Sequence, residues 1–376
     1  MISIRGAVRV RGSRMTRIAA VHKVLAPYRH PQRAVTDMVE ASVPGENRAL
    51  LDRLHASARV RSRCTVLPLD AYQQLSGFGA ANDAYVAAAE KMAAQALDGA
   101  LESAGLPPDA VDLLVFVSTT GVAAPSIDAR LAGALGLRTD VTRLPLFGLG
   151  CAAGAAGIGR LHDYLRGQPG HTAALVSVEL CSLTFQRDDT SMANLVGSAL
   201  FGDGAAALVA RGQEAPDPWP ATGAASGTGR GTPGPTVVAS RSRFYPDTER
   251  AMGWDVKDSG FRIVLDPGIP DIVRTHLAAD IDAFLAGEGL TRGDIGTWVC
   301  HPGGPKVLEA ITSTLELPDG ALDVTWDSLA EVGNLSSASV LHVLEDTRRR
   351  GPRPGTLGLL LALGPGFCAE LVLLRW

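Results

Sequence analysis

Aromatic side chains are scarce: Phe, Trp and Tyr make up 5% of the 376 residues, too few for a platform on which bases would stack. Neither sign of charge dominates. With 35 Lys and Arg against 39 Asp and Glu the net charge is −4, so the broad basic field of a nucleic-acid binder is missing. Cysteine is also sparse. Cys64, Cys151, Cys181, Cys300 and Cys368 are odd in number, widely spaced and without a CxxC pair, which excludes a disulfide framework and a zinc site. Such usage fits free thiols in a reducing, cytoplasmic setting. No apolar run approaches the ~18 residues that would cross a bilayer. Arg5, Arg9, Arg11, Arg14 and Arg17 precede the first acidic residue, Asp37, yet no uninterrupted apolar segment follows them as a signal peptide would require. Residues 1–14 read as a disordered extension, with Met15 as an alternative start.

What is abundant is small and apolar. Hydrophobic residues are 46% and charged residues 20%, enough for a large core, and the length suits two domains or one duplicated unit. Residues 82–104 are Ala-rich with apolar positions at helical spacing and predict a long helix. After the turn GLPPDAVD, the run LLVFVSTTG (113–121) predicts a buried parallel strand ended by turn chemistry. LFGLG leads into CAAGAAGIGRLHDYLRG, helical despite its glycines, and AALVSVEL and GDGAAALVA predict two further buried strands. Helices alternating with buried strands define an α/β fold. Residues 212–235 break the pattern: rich in Pro, Gly, Ser and Thr and without periodicity, they read as a flexible loop between residues 15–211 and 236–376.

The two halves resemble each other at a constant offset of 183 residues. LLVFVSTTG lies over TWVCHPGG, setting Ser118 against His301, and Gly150-Cys151 lies over Gly333-Asn334. Each pair of small residues opens a helical stretch, CAAGAAGIGRLHDYLRG or NLSSASVLHVLEDTRRRG, that ends in Arg and Gly before an apolar strand, AALVSVEL or LGLLLAL. Two such units packed about a pseudo-twofold would bring the helix N-termini together, so that Cys151 and Asn334 face one site.

Cys151 is flanked by glycine and alanine, which lets substrate approach the sulfur, and a helix starting there would stabilise a thiolate. The other cysteines read as structural thiols, although Cys181 could line the same cavity. His301 ends an apolar strand and opens HPGGP, at the carboxyl end where α/β folds place ligands. An imidazole there supplies the cationic partner that a thiolate needs. His22, His30, His55, His162, His171, His276 and His342 occupy loop-like or polar helical settings and read as solvated. Asn334 offers either a helix N-cap or an amide donor to an oxyanion. Phe201 in LFGDG and Phe261 in SGFRIVL are core aromatics or constrictions of a substrate passage. The GDG and GPG turns lack the spacing of a nucleotide fingerprint, and no metal-ligand cluster is visible.

Taken in order, GLGCAAG, LFGDGAAAL, WVCHPGGP, GNLSSASVL and LGPG resemble the type III polyketide synthases, the chalcone-synthase-like branch of the thiolase superfamily. The likeness spans residue 17 to Trp376 apart from 212–235. It implies a layered αβαβα fold of duplicated halves, and a homodimer acting on CoA thioesters with no carrier protein, organic cofactor or metal. Its implied chemistry is decarboxylative condensation of an acyl-CoA starter with malonyl-CoA or a substituted malonyl-CoA, followed by cyclisation to a pyrone- or resorcinol-type product. By resemblance, Cys151 is the acyl-carrying nucleophile with His301 and Asn334 as partners, and Phe201 and Phe261 are gatekeepers. Thr119, Cys181, Thr184 and Ser336 line the cavity, and Arg59 and Arg61 hold CoA phosphates. Ala124 stands where plant members carry a Met that reaches across the dimer, and Cys181 replaces a common Thr; both departures point away from a chalcone. The tracts RCTVLPLDAY and SVELCSLTFQRDDTSMANLV resemble bacterial alkyl-pyrone synthases. Ketoacyl-ACP synthase III enzymes share the Cys, His and Asn but place the His in another motif, and a non-catalytic thiolase-fold scaffold would not need all three.

Overall fold

The computed structural model describes residues 15–42, 48–216 and 234–376; the extension read over 1–14 and most of the loop read over 212–235 lie outside the described residues. Strands β1 (Thr16–Leu25), β2 (Leu113–Val117), β3 (Thr142–Leu146), β4 (Thr172–Leu180) and β5 (Asp203–Gly212) belong to the first half. Strands β6 (Thr236–Phe244), β7 (Ile295–Cys300), β8 (Leu357–Gly364) and β9 (Cys368–Arg375) belong to the second. Their order is β7-β8-β9-β6-β1-β5-β4-β2-β3.

The halves repeat one topology. In the first, β2 and β4 are parallel, and β4–β5 and β5–β1 are antiparallel. In the second, β7 and β8 are parallel, and β8–β9 and β9–β6 are antiparallel. A two-residue antiparallel contact between β1 and β6 joins them. Among the described residues only the first half carries an outer edge strand, β3, paired in parallel with β2.

Alternation along the strands builds three apolar layers. Leu114 and Phe116 of β2 point outward to Ala89, Leu97 and Leu101 of helix α1 (Gly77–Ala104). Val115 and Val117 point inward, to a core shared with Ile158 and Leu161 of α2 (Ala153–Gly167) and Val340 and Leu344 of α3 (Ser337–Arg349). That same central core takes Leu360 and Val372 from the second half, while Leu359, Leu361 and Leu371 face Leu277 and Ile281 of Ile269–Gly287 on the far side. The result is helix, sheet, paired central helices, sheet, helix, as the resemblance implied.

Small residues are what let the central helices meet. A Cβ on Gly154 would lie 2.3 Å from the Ser337 carbonyl oxygen and 2.7 Å from a Val340 methyl. The contact falls in the first turn of each helix, so the two N-termini, and the residues just before them, converge.

Candidate active site

Cys151 sits in the turn Gly150–Ala152 that runs directly into α2, and its side chain is buried. Gly150 has φ +47°, and a Cβ there would come within 2.6 Å of Pro365, so the GPG turn closes over the cysteine turn from the second half. Asn334 precedes α3. It is stitched to Phe201 by two backbone bonds, Asn334 N–H to Leu200 O at 2.8 Å and Gly202 N–H to Asn334 O at 3.0 Å. The N-cap reading fails, because Ser336 occupies that position with φ +47°. Asn334 Oδ1 accepts from Ser336 N–H at 2.8 Å instead, which leaves its amide N–H groups for another partner.

Sulfur lies within their influence: the thiol donates to Ser336 Oγ at 3.6 Å, and the nearby Asn334 carboxamide favours the thiolate form. His301 follows β7, with its N–H on Leu361 O at 2.8 Å and its carbonyl closing the HPGG turn on Gly303 N–H. Among the described residues neither ring nitrogen of His301 has a hydrogen-bond partner, although the side chain is buried. An orphaned imidazole costs free energy that a ligand can repay, and here it opens on the cavity that Cys151 and Asn334 line.

Burial acts on both titratable groups in the same sense. It pushes the Cys151 thiol up to about 12 against the hydrogen bonds that favour the thiolate, and it pulls the His301 imidazole down to about 3. Each group alone is therefore neutral at physiological pH.

The cavity holds about 680 Å³ and is lined by Arg59, Cys151, Phe201, His301, Lys306 and Asn334 among others. A second space of about 60 Å³ is lined by Arg63, Tyr72, Cys181, Thr184, Phe201 and Trp254 among others. Phe201 is common to both linings and forms the wall between them. Cys181 and Thr184 thus lie on the inner space, and Ser336 lies at the sulfur itself.

Other expected residues are placed differently. Phe261 lines neither space; it is buried in an aromatic cluster with Phe78, Phe147 and Trp254, and it is Trp254 that reaches the inner space. Thr119 is one layer back, its carbonyl oxygen and Oγ1 accepting from Trp254 Nε1–H at 2.9 and 3.2 Å. Ala124 is exposed on a loop, away from both spaces. Arg59 lines the large cavity, stacked on Trp326 and paired with Glu309, but Arg61 points elsewhere, 3.9 Å from Glu331. Three histidines read as solvated are buried. Thr36 bonds His55, Thr16 bonds His162, and His342 Nε2 meets Ala205 O at 2.9 Å. Local polarity misleads at these positions because each imidazole found a partner in the core.

Two functional candidates escaped the sequence reading. Lys306, directly after HPGGP, adds a cation to the cavity lining. Glu179 is fully buried beneath Cys151; its Oε2 accepts from Thr119 N–H at 3.1 Å and Thr120 Oγ–H at 3.0 Å, and its Oε1 from Ser336 Oγ–H at 3.3 Å and from Ser337. Desolvation raises its pKa to about 7. The signal was a lone carboxylate inside the apolar run AALVSVEL, which a buried strand tolerates only with partners.

Five layers, with twin helices presenting a cysteine and an asparagine to one cavity, make this a condensing enzyme of the thiolase fold. Residues 45–214 match the family Chalcone and stilbene synthases, N-terminal domain, and residues 236–376 match the C-terminal domain of the same family. The chain belongs to that family and is a type III polyketide synthase. It is 58% identical over 366 residues to 1,3,6,8-tetrahydroxynaphthalene synthase of Streptomyces peucetius subsp. caesius, covering 96% of this chain and 94% of that protein. To phloroglucinol synthase of Pseudomonas fluorescens it is 30% identical over 367 residues, 96% of this chain and 99% of the relative. The crystal structure of 1,3,6,8-tetrahydroxynaphthalene synthase from Streptomyces coelicolor A3(2), a bacterial type III polyketide synthase, superposes with TM-score 0.87 at 30% identity, over 96% of this chain and 99% of that one. These relatives are named for hydroxylated aromatic products, where the sequence had led to a pyrone- or resorcinol-type product. Among the described residues no helix is long and apolar enough to cross a membrane, and no cluster of His, Cys, Asp and Glu would hold a metal.

Proposed function

We propose that the protein builds a poly-β-keto chain on Cys151 from malonyl-CoA-derived units and closes it to a hydroxylated aromatic of the tetrahydroxynaphthalene type. The single observation that carries the chemistry is the Asn334 carboxamide at the Cys151 sulfur, in a cavity where His301 is left without a partner. Cys151 passes its proton to His301 and the thiolate attacks the thioester carbonyl. The C–S bond to CoA breaks, and the leaving thiolate takes the proton back. Malonyl-CoA then occupies the same cavity, with Arg59 and Lys306 as counter-charges to the CoA phosphates. Its carboxyl–carbon bond breaks, CO2 departs, and the electron pair becomes an enolate whose oxygen accepts from His301 and Asn334. Donors that meet charge existing only after decarboxylation lower the barrier without tightening ground-state binding. The enolate carbon attacks the acyl-Cys151 carbonyl, the new C–C bond forms, and the sulfur is released for the next round.

The product assignment follows the 58% identical relative. A bicyclic aromatic with hydroxyls on alternate positions is the pattern left when two-carbon units join and fold back. A homodimer is supported by apolar side chains left open at the surface: Val122, Leu144 and Phe147 are 43%, 37% and 54% exposed. The test is incubation of purified protein with malonyl-CoA alone and with acyl-CoAs of increasing length, without carrier protein, and products read by mass spectrometry. Malonyl-CoA alone is expected to yield the hydroxylated naphthalene, and Cys151→Ala none. Extension only from long acyl-CoAs, giving pyrones, would overturn the product assignment; full condensation by Cys151→Ala would overturn the mechanism.

A further inference from the structure

We propose that Arg63 is a positioning residue for this reaction: by binding the C-terminal carbonyls of α-helix Met192–Leu200 it holds Phe201 and Asn334 in register at the junction of the two cavities. The inference rests on the reading just given, since it assigns a role in the same site.

Arg63 lies on the short strand Ser62–Thr65 and its side chain is buried. One terminal nitrogen, Nη1, donates to Ser198 O at 2.6 Å and to Phe201 O at 2.7 Å. The other, Nη2, donates to Ala199 O at 2.7 Å and to Gln32 Oε1. Gln32 reinforces the arrangement, its Nε2–H meeting Ala199 O at 3.0 Å. The carbonyl that Arg63 leaves, Leu200 O, accepts from Asn334 N–H. Every carbonyl from 198 to 201 is thereby bound, three by one guanidinium and one by Asn334.

A helix ends with carbonyls that have no partner within it, and its last turn carries partial negative charge. At a surface, water and a flexible lysine suffice. This end is buried against both cavities, so it takes a planar fork of fixed donors, for which lysine's single nitrogen is no substitute. Buried Asp203, anchored by Ser182 and Val66, supplies the compensating charge. The geometry gives the guanidinium two outputs. Phe201 is the wall shared by the two spaces, and Asn334 is the donor at sulfur; both hang on the 198–202 segment, and Cys151 does not.

Arg63 therefore sets the condensation geometry without touching the nucleophile. The experiment compares wild type with Arg63→Lys and Gln32→Leu in three readouts: amide exchange at Gly202 and Asn334, iodoacetamide alkylation of Cys151, and product formed per malonyl-CoA consumed. In Arg63→Lys the two amides are expected to exchange about tenfold faster while the amides of the central strands keep their protection. Alkylation is expected to fall by no more than about threefold as the Asn334 donor at sulfur loosens, and condensed product per malonyl-CoA to fall about tenfold or more, as misplacement of a reacting centre does. Gln32→Leu should show the same changes, smaller. Unchanged exchange at Gly202 and Asn334, or a parallel fall of alkylation and condensation, would overturn the proposal. Should Arg63→Lys fail to fold, Gln32→Leu decides alone. Wild-type protein inert towards malonyl-CoA would instead refute the functional reading, and the amide-exchange result would still decide whether Arg63 holds the segment.

Discussion

Asn334 uses the two ends of one side chain for different tasks. Its oxygen is occupied by the Ser336 N–H, which fixes the carboxamide plane, and its nitrogen is left to donate towards Cys151. Asn334→Ala removes both, so condensation should slow by ~10²–10³, the usual cost of one oxyanion donor. The check is steady-state product formation from malonyl-CoA; a change of less than about threefold would remove Asn334 from the mechanism. At this scale much was legible. Cys151, His301 and Asn334 stand beside glycines and strand ends, where function leaves marks in local sequence. Glu179 and Arg63 do not, because what defines each is a set of partners drawn from distant segments. Arg61 turns away from the large cavity for a related reason: position along a motif says nothing about which way a loop turns its side chain.

The central helices are the elements on which the site depends. They meet where Gly154 faces the Ser337 carbonyl, and a valine there has no room. Gly154→Val is expected to destabilise the protein by about 1–3 kcal/mol through overpacking, and to separate the turn of Cys151 from that of Asn334. Thermal unfolding and malonyl-CoA turnover should both report it, with residual activity in the folded fraction falling further than the loss of stability explains. Strands and helices were readable at this level, since alternation and Ala-rich periodicity are local. One boundary moved: the helix expected from residue 82 begins at Gly77, while the strand and turn expected over 113–121 give a strand at Leu113–Val117.

For the whole molecule, buried titratable groups set the response to acid. Burial pulls His55, His162 and His342 down to about 4 and His301 to about 3, against an ordinary value of 6.5. Below pH 6.5 the unfolded chain takes protons that the folded one refuses until about pH 4, so this stability is complete above 6.5 and drains away through that window. Buried carboxyls oppose it: Glu179 at about 7 and Asp203 at about 6 take protons earlier when folded, and Glu370 shifts the same way. Four histidines outweigh these, leaving a net loss of about 1–3 kcal/mol per pH unit between roughly pH 6 and 5. Melting temperature measured across pH 7.5 to 4.5 should fall steadily on the acid side; a flat or rising curve would contradict the burial of these imidazoles.

The amino-acid order alone was enough to determine the α/β class and the internal duplication, and to single out three candidate reacting side chains. All of these depend on short-range regularities, namely the period of apolar residues, a constant offset and the small residues around a nucleophile. Tertiary structure decided what surrounds them: the glycine contact that brings two helix starts together, the carboxylate under the sulfur, the guanidinium behind Phe201 and the burial of three further histidines. Those features are pairings between residues far apart along the chain, and the desolvation that gives them their strength exists only once the layers have closed.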